Sequence, residues 1–410
     1  MAPGSPLTVL LRWEGDDVQT VGRLASRDRV VYLEWDEAFL SSGLELSPVR
    51  HATTRGLIRP HDASVFGGLH GLFHDSLPDG WGRLLVDRRA REHGIEPATL
   101  SPLDRLACVG DAGVGALCYA PAADLWGAAG ATLDLDRLAA DARRVLAGHV
   151  SDILDELGRV GGSPAGARPK ACLAINARGD AIRGPEPPTR GFEHYLVKFR
   201  GADDPEDAAH IEQAYADMAR AAGVRMPVTR LVAGARGEHY FASRRFDRDG
   251  SKRLHAHTAS GLLYADSRLP SLDYRDLIGL TRSVTRDRRQ CRDMFSLAAF
   301  NVLSRNRDDH ARQFTFLMTR DGHWRLAPAY DLTFAPGPVG EHFTSVLGRG
   351  REIDRTILLE LGRYADLTDS ESRRIVERVS DAVAAWDDFA RSYDVSAESR
   401  NRIGRTLSSL

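Results

Sequence analysis

Asp308, Asp309 and His310 follow an apolar, helix-patterned run, FSLAAFNVL, and a further acid, Asp331, comes after a short hairpin pattern. Acid loop, hairpin, second acid is an order that supplies the parts of phosphoryl transfer. One Asp accepts the proton of an incoming hydroxyl, and a later Asp holds the magnesium that bridges the phosphates. In that chemistry Asp308 is the base and His310 supports the loop by hydrogen bonding. Asp331 follows the apolar run Ala-Pro-Ala-Tyr, where a carboxylate is poorly solvated without a cation, so it reads as a metal ligand. Metal ligation by the Asp-Asp-His run itself, as in a hydrolase, is the other chemistry these residues can do.

Lysine usage adds a second signal. The chain has 55 Lys+Arg, yet its only lysines are Lys170, Lys198 and Lys252. A Lys kept against such a bias marks a place for a compact ammonium, such as a point contact to phosphate. Lys198, in LVKF, has apolar neighbours and is expected in a buried strand. A buried Lys needs an anionic partner, and ATP phosphates and Glu212 are both candidates; the bland alternative is an ammonium that snorkels to water. Lys170 ends the Gly-rich stretch GRVGGSPAGARPK. No GxxxxGK[ST] loop is present, but successive glycines let backbone N–H groups close on phosphate oxygens. Lys252, in DRDGSKR, reads as surface.

The elements that must carry these residues follow from periodicity. Residues 7 to 35 alternate as strands, LTVLLRW, VQTVGRL and RVVYLEW. Helical patterns run from Trp81 to His93 and from Leu103 to Cys108, and GALCYAP closes that region. An Ala-rich helical stretch spans Leu133 to Leu157, interrupted by Gly148. Pro121 and the glycines from Gly127 to Gly130 mark a boundary. Next come a strand (ACLAI), a turn at Arg178-Gly179-Asp180, and the strand HYLVKF. An amphipathic helix then buries Ile211, Tyr215, Met218, Ala219 and Ala222, before the strands RLVAG and YFASRRF. In RRFDR, Asp247 flanked by arginines reads locally as a surface ion-pair cluster. Beyond Gly250 the pattern is mainly helical, with one long helix expected from Ser370 to Tyr393.

A 410-residue chain with 42% apolar and 27% charged residues is an ordinary globular composition of two or three domains. A net charge of −2 gives no basis for non-specific nucleic-acid binding. Cys108, Cys118, Cys172 and Cys291 are dispersed among apolar residues and read as buried thiols. No apolar run reaches membrane-spanning length and no signal-peptide pattern opens the chain, so a cytoplasmic protein without membrane contact is expected.

With these motifs in order, the sequence resembles the HipA family of serine/threonine kinase toxins over nearly its whole length. LPDGWGRLL (77–85) and SPLDRLACVGDAGVGAL (101–117) resemble its N-terminal subdomain. GARPK (166–170), HYLVKF, the Glu212 helix, SRRFDR, LPSLDY (269–274), NRDDHA and RLAPAYDL resemble its kinase core. The resemblance implies an α+β, two-lobed protein-kinase-like fold, with a β-rich small lobe, a mainly helical large lobe and an N-terminal α+β subdomain. The implied segments are 1–125, connector helices 126–158, the small lobe 159–250 and the large lobe 251–410.

Residue by residue, it implies Asp308 as catalytic Asp, His310 beside it, and Asp331 as magnesium ligand. Lys198 becomes the ATP-phosphate Lys and Lys170 the loop Lys, with Gly166 and Ala167 in the same loop and Glu212 on the next helix. Arg244 and Phe246 become the adenine-side hinge, with Asp247 next to them. ATP and Mg2+ are the implied cofactors. The implied partners are a protein substrate, such as an aminoacyl-tRNA synthetase, and a HipB-like helix-turn-helix antitoxin that links the chain indirectly to operator DNA.

Two positions depart from the family pattern. Gln313 stands where the family's second metal ligand is Asn, and Ala165 where members often carry an autophosphorylated Ser, leaving Ser163 as the loop's only serine. Gln313 keeps open a pseudokinase that acts as a corepressor module with its antitoxin. The Asp-Asp-His run keeps open a metal-dependent phosphohydrolase.

Overall fold

The computed structural model describes residues 5–51, 53–78, 80–123, 133–148, 157–158, 166, 168–183 and 190–408. The chain forms two compact units: Met1–Pro205, Leu231–His257 and Met318–Gly322 in one, Glu206–Arg230, Thr258–Leu317 and His323–Leu410 in the other. These units cut across the four segments expected from the sequence. The N-terminal subdomain and the small-lobe strands share one unit, and the Glu212 helix belongs to the other.

The first unit holds two sheets. β1 (Leu7–Glu14), β2 (Asp17–Arg27), β3 (Val30–Trp35) and β4 (Leu57–Ile58) form an antiparallel run, and β5 (Leu117–Ala120) also pairs with β1. Alternation sets the faces: Leu7, Val9, Leu11 and Trp13 are buried, and the residues between them are half-buried. The second sheet has the order β7-β6-β8-β10-β9, built from β6 (Lys170–Asn176), β7 (Ala181–Arg183), β8 (Phe192–Lys198), β9 (Thr229–Ala233) and β10 (His239–Arg244). Its core takes Leu173, Ile175, Tyr195 and Val197 from the strands. Leu138, Ala142 and Val145 come from the helix Leu135–Leu146, and Trp81 and Leu85 from the helix Gly80–Glu92. The hairpin of β11 (Arg248–Asp249) and β12 (Lys252–Arg253) then returns to the first sheet, where Lys252 pairs with Glu14.

The first connector helix spans Leu135–Leu146, and Gly148, where the interruption is expected, has φ +94°; residues 149–156 lie outside those described. Asp247 corrects an expectation. It is buried (2% exposed) rather than a surface ion-pair residue.

The second unit is mainly helical. Its helices include Ala208–Ala221, Tyr274–Thr285, Arg288–Leu303 and Arg355–Tyr364. The expected long helix is two, Asp369–Ala384 and Trp386–Ser392, broken at Ala385. Periodicity missed the break because the buried stripe continues through it. Tertiary contacts hold Trp386 at the break: its ring lies 5.2 Å from that of Tyr215, and its indole N–H donates to Arg400 O at 3.2 Å. Among the described residues no helix is long and apolar enough to cross a membrane.

Candidate functional site

The helix Arg288–Leu303 ends where the backbone N–H of Ser304 bonds Phe300 O, and the loop 304–310 carries the acids. The adjacent aspartates have opposite fates. Asp308 is exposed. Asp309 is fully buried: its Oδ2 accepts from Tyr274 Oη at 2.7 Å and faces His342 Nδ1 at 2.9 Å, and its Oδ1 accepts from Thr344 N at 3.2 Å. Asn301 Nδ2 donates to Tyr274 Oη at 2.8 Å and Asn306 Nδ2 to Asn301 Oδ1 at 2.9 Å. Burial, then the Asp309 charge, pushes the Tyr274 phenol well above its ordinary range, so it stays a donor. Asp309 thus fixes the loop, while the Asp308 carboxylate next to it is exposed at the surface. A metal centre made from the whole Asp-Asp-His run does not fit, because the Asp309 oxygens are spent on the fold. Among the described residues no group of three or more His, Cys, Asp or Glu is placed to hold a metal.

His310 caps the short turn Ala311–Gln313, with Arg312 N donating to its Nδ1 at 3.3 Å. Gln313 Nε2 lies 3.5 Å from His310 Nε2 and donates to Asp331 Oδ2 at 3.0 Å. The longer Gln arm therefore still reaches Asp331. Asp331 has φ +57°, a left-handed backbone that Asp tolerates better than most residues. Below it, Tyr330 Oη lies 2.7 Å from Thr315 Oγ1 on the strand Thr315–Met318, which pairs with Trp324–Leu326 as the expected hairpin. As placed, the amide turns its N–H to Asp331; with the amide reversed, the same two residues would present the oxygen donors that Mg2+ takes, so the residue types fit the implied ion.

Glu212 is buried on the helix Ala208–Ala221. That helix is tied to the start of the acid loop, since Tyr215 Oη donates to Ser304 O at 2.9 Å.

In the first unit, Lys170 opens β6 and Lys198 closes β8, and the two are direct partners across the antiparallel ladder. Both are buried. Side chains opposed in such a pair share one face of the sheet, so both lysines leave the sheet on the same side. Lys198 Nζ also lies 5.6 Å from the centre of the Phe241 ring. Gly166 has φ +112°, and a Cβ there would sit 2.3 Å from Lys170 Nζ. Ala167, Ser163 and Ala165 lie outside the described residues. Two buried lysines and a glycine at positive φ beside Lys170 Nζ would form an anion cradle that fits the implied phosphates.

Sequence reasoning missed the residue that holds this cradle. Trp81 N donates to Gly166 O at 3.0 Å, and its indole Nε1 donates to Lys170 O at 3.1 Å. The Gly-Trp-Gly of the LPDGWGRLL motif was the available signal.

The expected hinge is partly committed to the fold. Arg244 pairs with Glu193 at 3.0 Å, Arg245 N donates to His194 O at 2.9 Å, and Phe246 is half-buried. The Asp247 carboxylate accepts from Arg245, from Arg248 at 2.7 Å and from Gly115 N at 2.7 Å, so its work is structural. Burial alone would raise its pKa, but the two guanidiniums and the Gly115 N–H outweigh it and hold the carboxyl well below its ordinary range.

A Ser-His-Asp chain also occurs, with His257 bonded to Asp75 at 2.6 Å and to Ser47 at 3.0 Å. Ser47 is only 3% exposed, so this relay packs the core and offers no nucleophile.

Residues 162–386, more than half of the chain, match the family model of the HipA-like C-terminal domain, and residues 16–120 match that of the HipA N-terminal domain. The chain belongs to the HipA family. Among solved structures it is similar to a Shewanella oneidensis MR-1 HipA, from a toxin-antitoxin complex with HipB and operator DNA. That match has a TM-score of 0.68 at 16% identity and covers 98% of this chain and 95% of the other. The α+β fold of HipA therefore extends over 98% of this chain. A Helicobacter pylori proinflammatory kinase, CtkA, is similar at a TM-score of 0.29 and 12% identity, over 49% of this chain and 90% of its own; so small a likeness carries no argument. No curated protein matches in sequence.

Proposed function

We propose that this HipA-family protein is an ATP-dependent serine/threonine protein kinase. The observation that carries the reading is the division of labour in the acid loop: Asp309 is locked in the fold while Asp308 is exposed. Asp308 takes the proton from the target hydroxyl and orients its oxygen. Lys170 and Lys198 hold the negative charge of the nucleotide phosphates, and Trp81 holds the backbone of Gly166 and Lys170. Asp331 and Gln313 would hold Mg2+, which supplies charge neutralisation to the phosphates. Arg244 and Phe246 would lie on the adenine side. By analogy with the Shewanella complex, the protein acts as the toxin of a pair in the cytoplasm. A HipB-like helix-turn-helix antitoxin connects it to operator DNA, and an aminoacyl-tRNA synthetase or another translation protein is the target class.

A second reading rests on one contact. Gln313 offers Asp331 an N–H, which satisfies that carboxylate without a cation and suits a pseudokinase that serves as a corepressor module. The test is transfer from γ-labelled Mg-ATP, with Asp331→Ala as control, scoring labelled protein and free phosphate separately. Label on protein that disappears in the control supports the kinase. Neither product, with a panel of candidate target proteins present, supports the pseudokinase. Free phosphate alone would revive the hydrolase.

A further inference from the structure

Arg305 and Arg307 flank Asn306 immediately before Asp308. Asn306 is turned into the protein by its bond to Asn301, and the arginines on either side are half-buried. Their backbone is pinned. Arg305, at φ +55°, accepts from Ala335 N at 3.2 Å; Arg307 donates to Ala335 O at 3.2 Å and accepts from Phe343 N at 3.3 Å. Among the described residues the Arg307 side chain makes one hydrogen bond, to Pro336 O at 3.0 Å. Among the described residues neither guanidinium pairs with a carboxylate, and the Nε of each is buried without an acceptor.

Other arginines of this chain end on acids, as Arg245 does on Asp247, Arg268 on Asp266 and Arg282 on Asp366. Burial, and for Arg305 the neighbouring Arg307, disfavours the charged forms, with the buried Asp309 giving Arg307 partial relief. Two cations are kept together at such a cost, with Arg307 next to an exposed carboxylate, and among the described residues they make no ion pair and have only the buried Asp309 as partial relief. The guanidinium fork is the side chain that matches carboxylate and phosphate groups.

We propose that Arg305 and Arg307 form a receptor for an anionic side chain of the protein substrate, a carboxylate or a phosphate ester close to the hydroxyl to be phosphorylated. This rests on the kinase reading for its purpose, but the receptor itself can be measured without catalysis. Full-length protein is titrated by fluorescence anisotropy against three labelled serine-containing peptides that differ at one site, phosphoserine, Asp or Lys. The wild type binds the phosphoserine and Asp peptides about tenfold more tightly than the Lys peptide. Arg305→Gln, which removes a side chain with no hydrogen bond among the described residues, abolishes the difference, and Arg305→Glu reverses it. Arg305→Lys, with the charge but no fork, is intermediate.

The ratio between phosphoserine and Asp peptides tells which anion is preferred. Equal binding of all three peptides by the wild type, or discrimination that survives in Arg305→Gln, overturns the proposal. So does competition by inorganic phosphate as strong as by the phosphopeptide, because the site would then be one for a free ion. Peptide phosphorylation is scored in parallel. Discrimination without any phosphate transfer would remove the kinase reading and leave the receptor; transfer without discrimination would do the reverse.

Discussion

Lys170 and Lys198 stand directly opposite each other on β6 and β8. Like charges in such a pair repel, and bound phosphates would relieve that repulsion. Mg-ATP is therefore expected to raise the melting temperature of the wild type, because a ligand that binds only the folded state stabilises it. Lys198→Met and Lys170→Met should each lose most of that shift and lower phosphate transfer by about a hundredfold, an electrostatic loss of roughly 2–3 kcal/mol. An undiminished nucleotide-induced shift in both variants would exclude the cradle as the phosphate site.

Trp81 should act on the same cradle from behind. Trp81→Phe keeps most of the ring and deletes the indole donor to Lys170 O. A cost of about 1 kcal/mol in stability is expected, as for one neutral hydrogen bond with its acceptor left behind. The more telling result is a raised KM for ATP with the KM for protein substrate unchanged. Equal changes in both would reduce Trp81 to a packing residue.

Gln313 is expected to govern the magnesium requirement. Gln313→Ala leaves Asp331 without its 3.0 Å partner, and loss of a metal-site contact commonly costs about 10–100-fold in metal affinity or activity. Activity measured against Mg2+ concentration should shift to higher concentration in this variant. Gln313→Asn should stay within a few-fold of wild type, since both amides offer the same oxygen. A magnesium dependence identical in Gln313→Ala and wild type would take Gln313 out of the site.

Asp247 should be among the costliest single losses in the molecule. Asp247→Ala would leave Arg248, whose side chain is 2% exposed, buried without its counter-charge. A destabilisation of about 3–5 kcal/mol is expected from urea unfolding. A change below about 1 kcal/mol would mean that water or the carbonyls of Gly113 and Gly115 already satisfy that guanidinium.

Acid should weaken the first unit through its histidines. Burial, with His51 as neighbour, lowers the His70 pKa to about 3, and burial, with His257 as neighbour, lowers that of His255 to about 3. Both rings are neutral in the fold, so the unfolded chain binds more protons below its ordinary imidazole pKa of about 6.5. The stability they support is whole above pH ~6.5 and is lost as pH falls toward 3. At pH 5 the loss is about 2 kcal/mol per ring. Urea midpoints at pH 7.5 and pH 5 measure it, and His255→Gln should remove about half of the difference, leaving the His70 share. A wild-type midpoint that does not move over this interval contradicts the assignment.

Strand alternation and the Tyr215 helix face were legible in the sequence because they follow from local periodicity. The Asp331 position was legible because a carboxylate after Ala-Pro-Ala-Tyr is a local anomaly. What could not be read locally was partnership. Nothing near Asp309 announces Tyr274 and His342, which arrive from far along the chain, so its neighbour relation to Asp308 concealed opposite roles. Asp247 looked like surface because its flanking arginines are usually solvated, whereas here they reach back to Gly113 and Gly115. The break at Ala385 was invisible because the apolar stripe runs on through Trp386.

That backward reach has a consequence for synthesis. Arg245 and Arg248 grip the carbonyls of Gly113 and Gly115, and Arg253 grips that of Asp111. The β11–β12 hairpin, which emerges between them, pairs with the end of β1. The N-terminal sheet is thus completed only after the ribosome has passed Arg253, and until then that end of β1 waits with open backbone groups, the kind of edge that invites mispairing. The two family modules are consequently a single folding assignment. A truncation ending near residue 125 should behave as an aggregation-prone fragment, and a gene rearrangement that separated the modules would strand both.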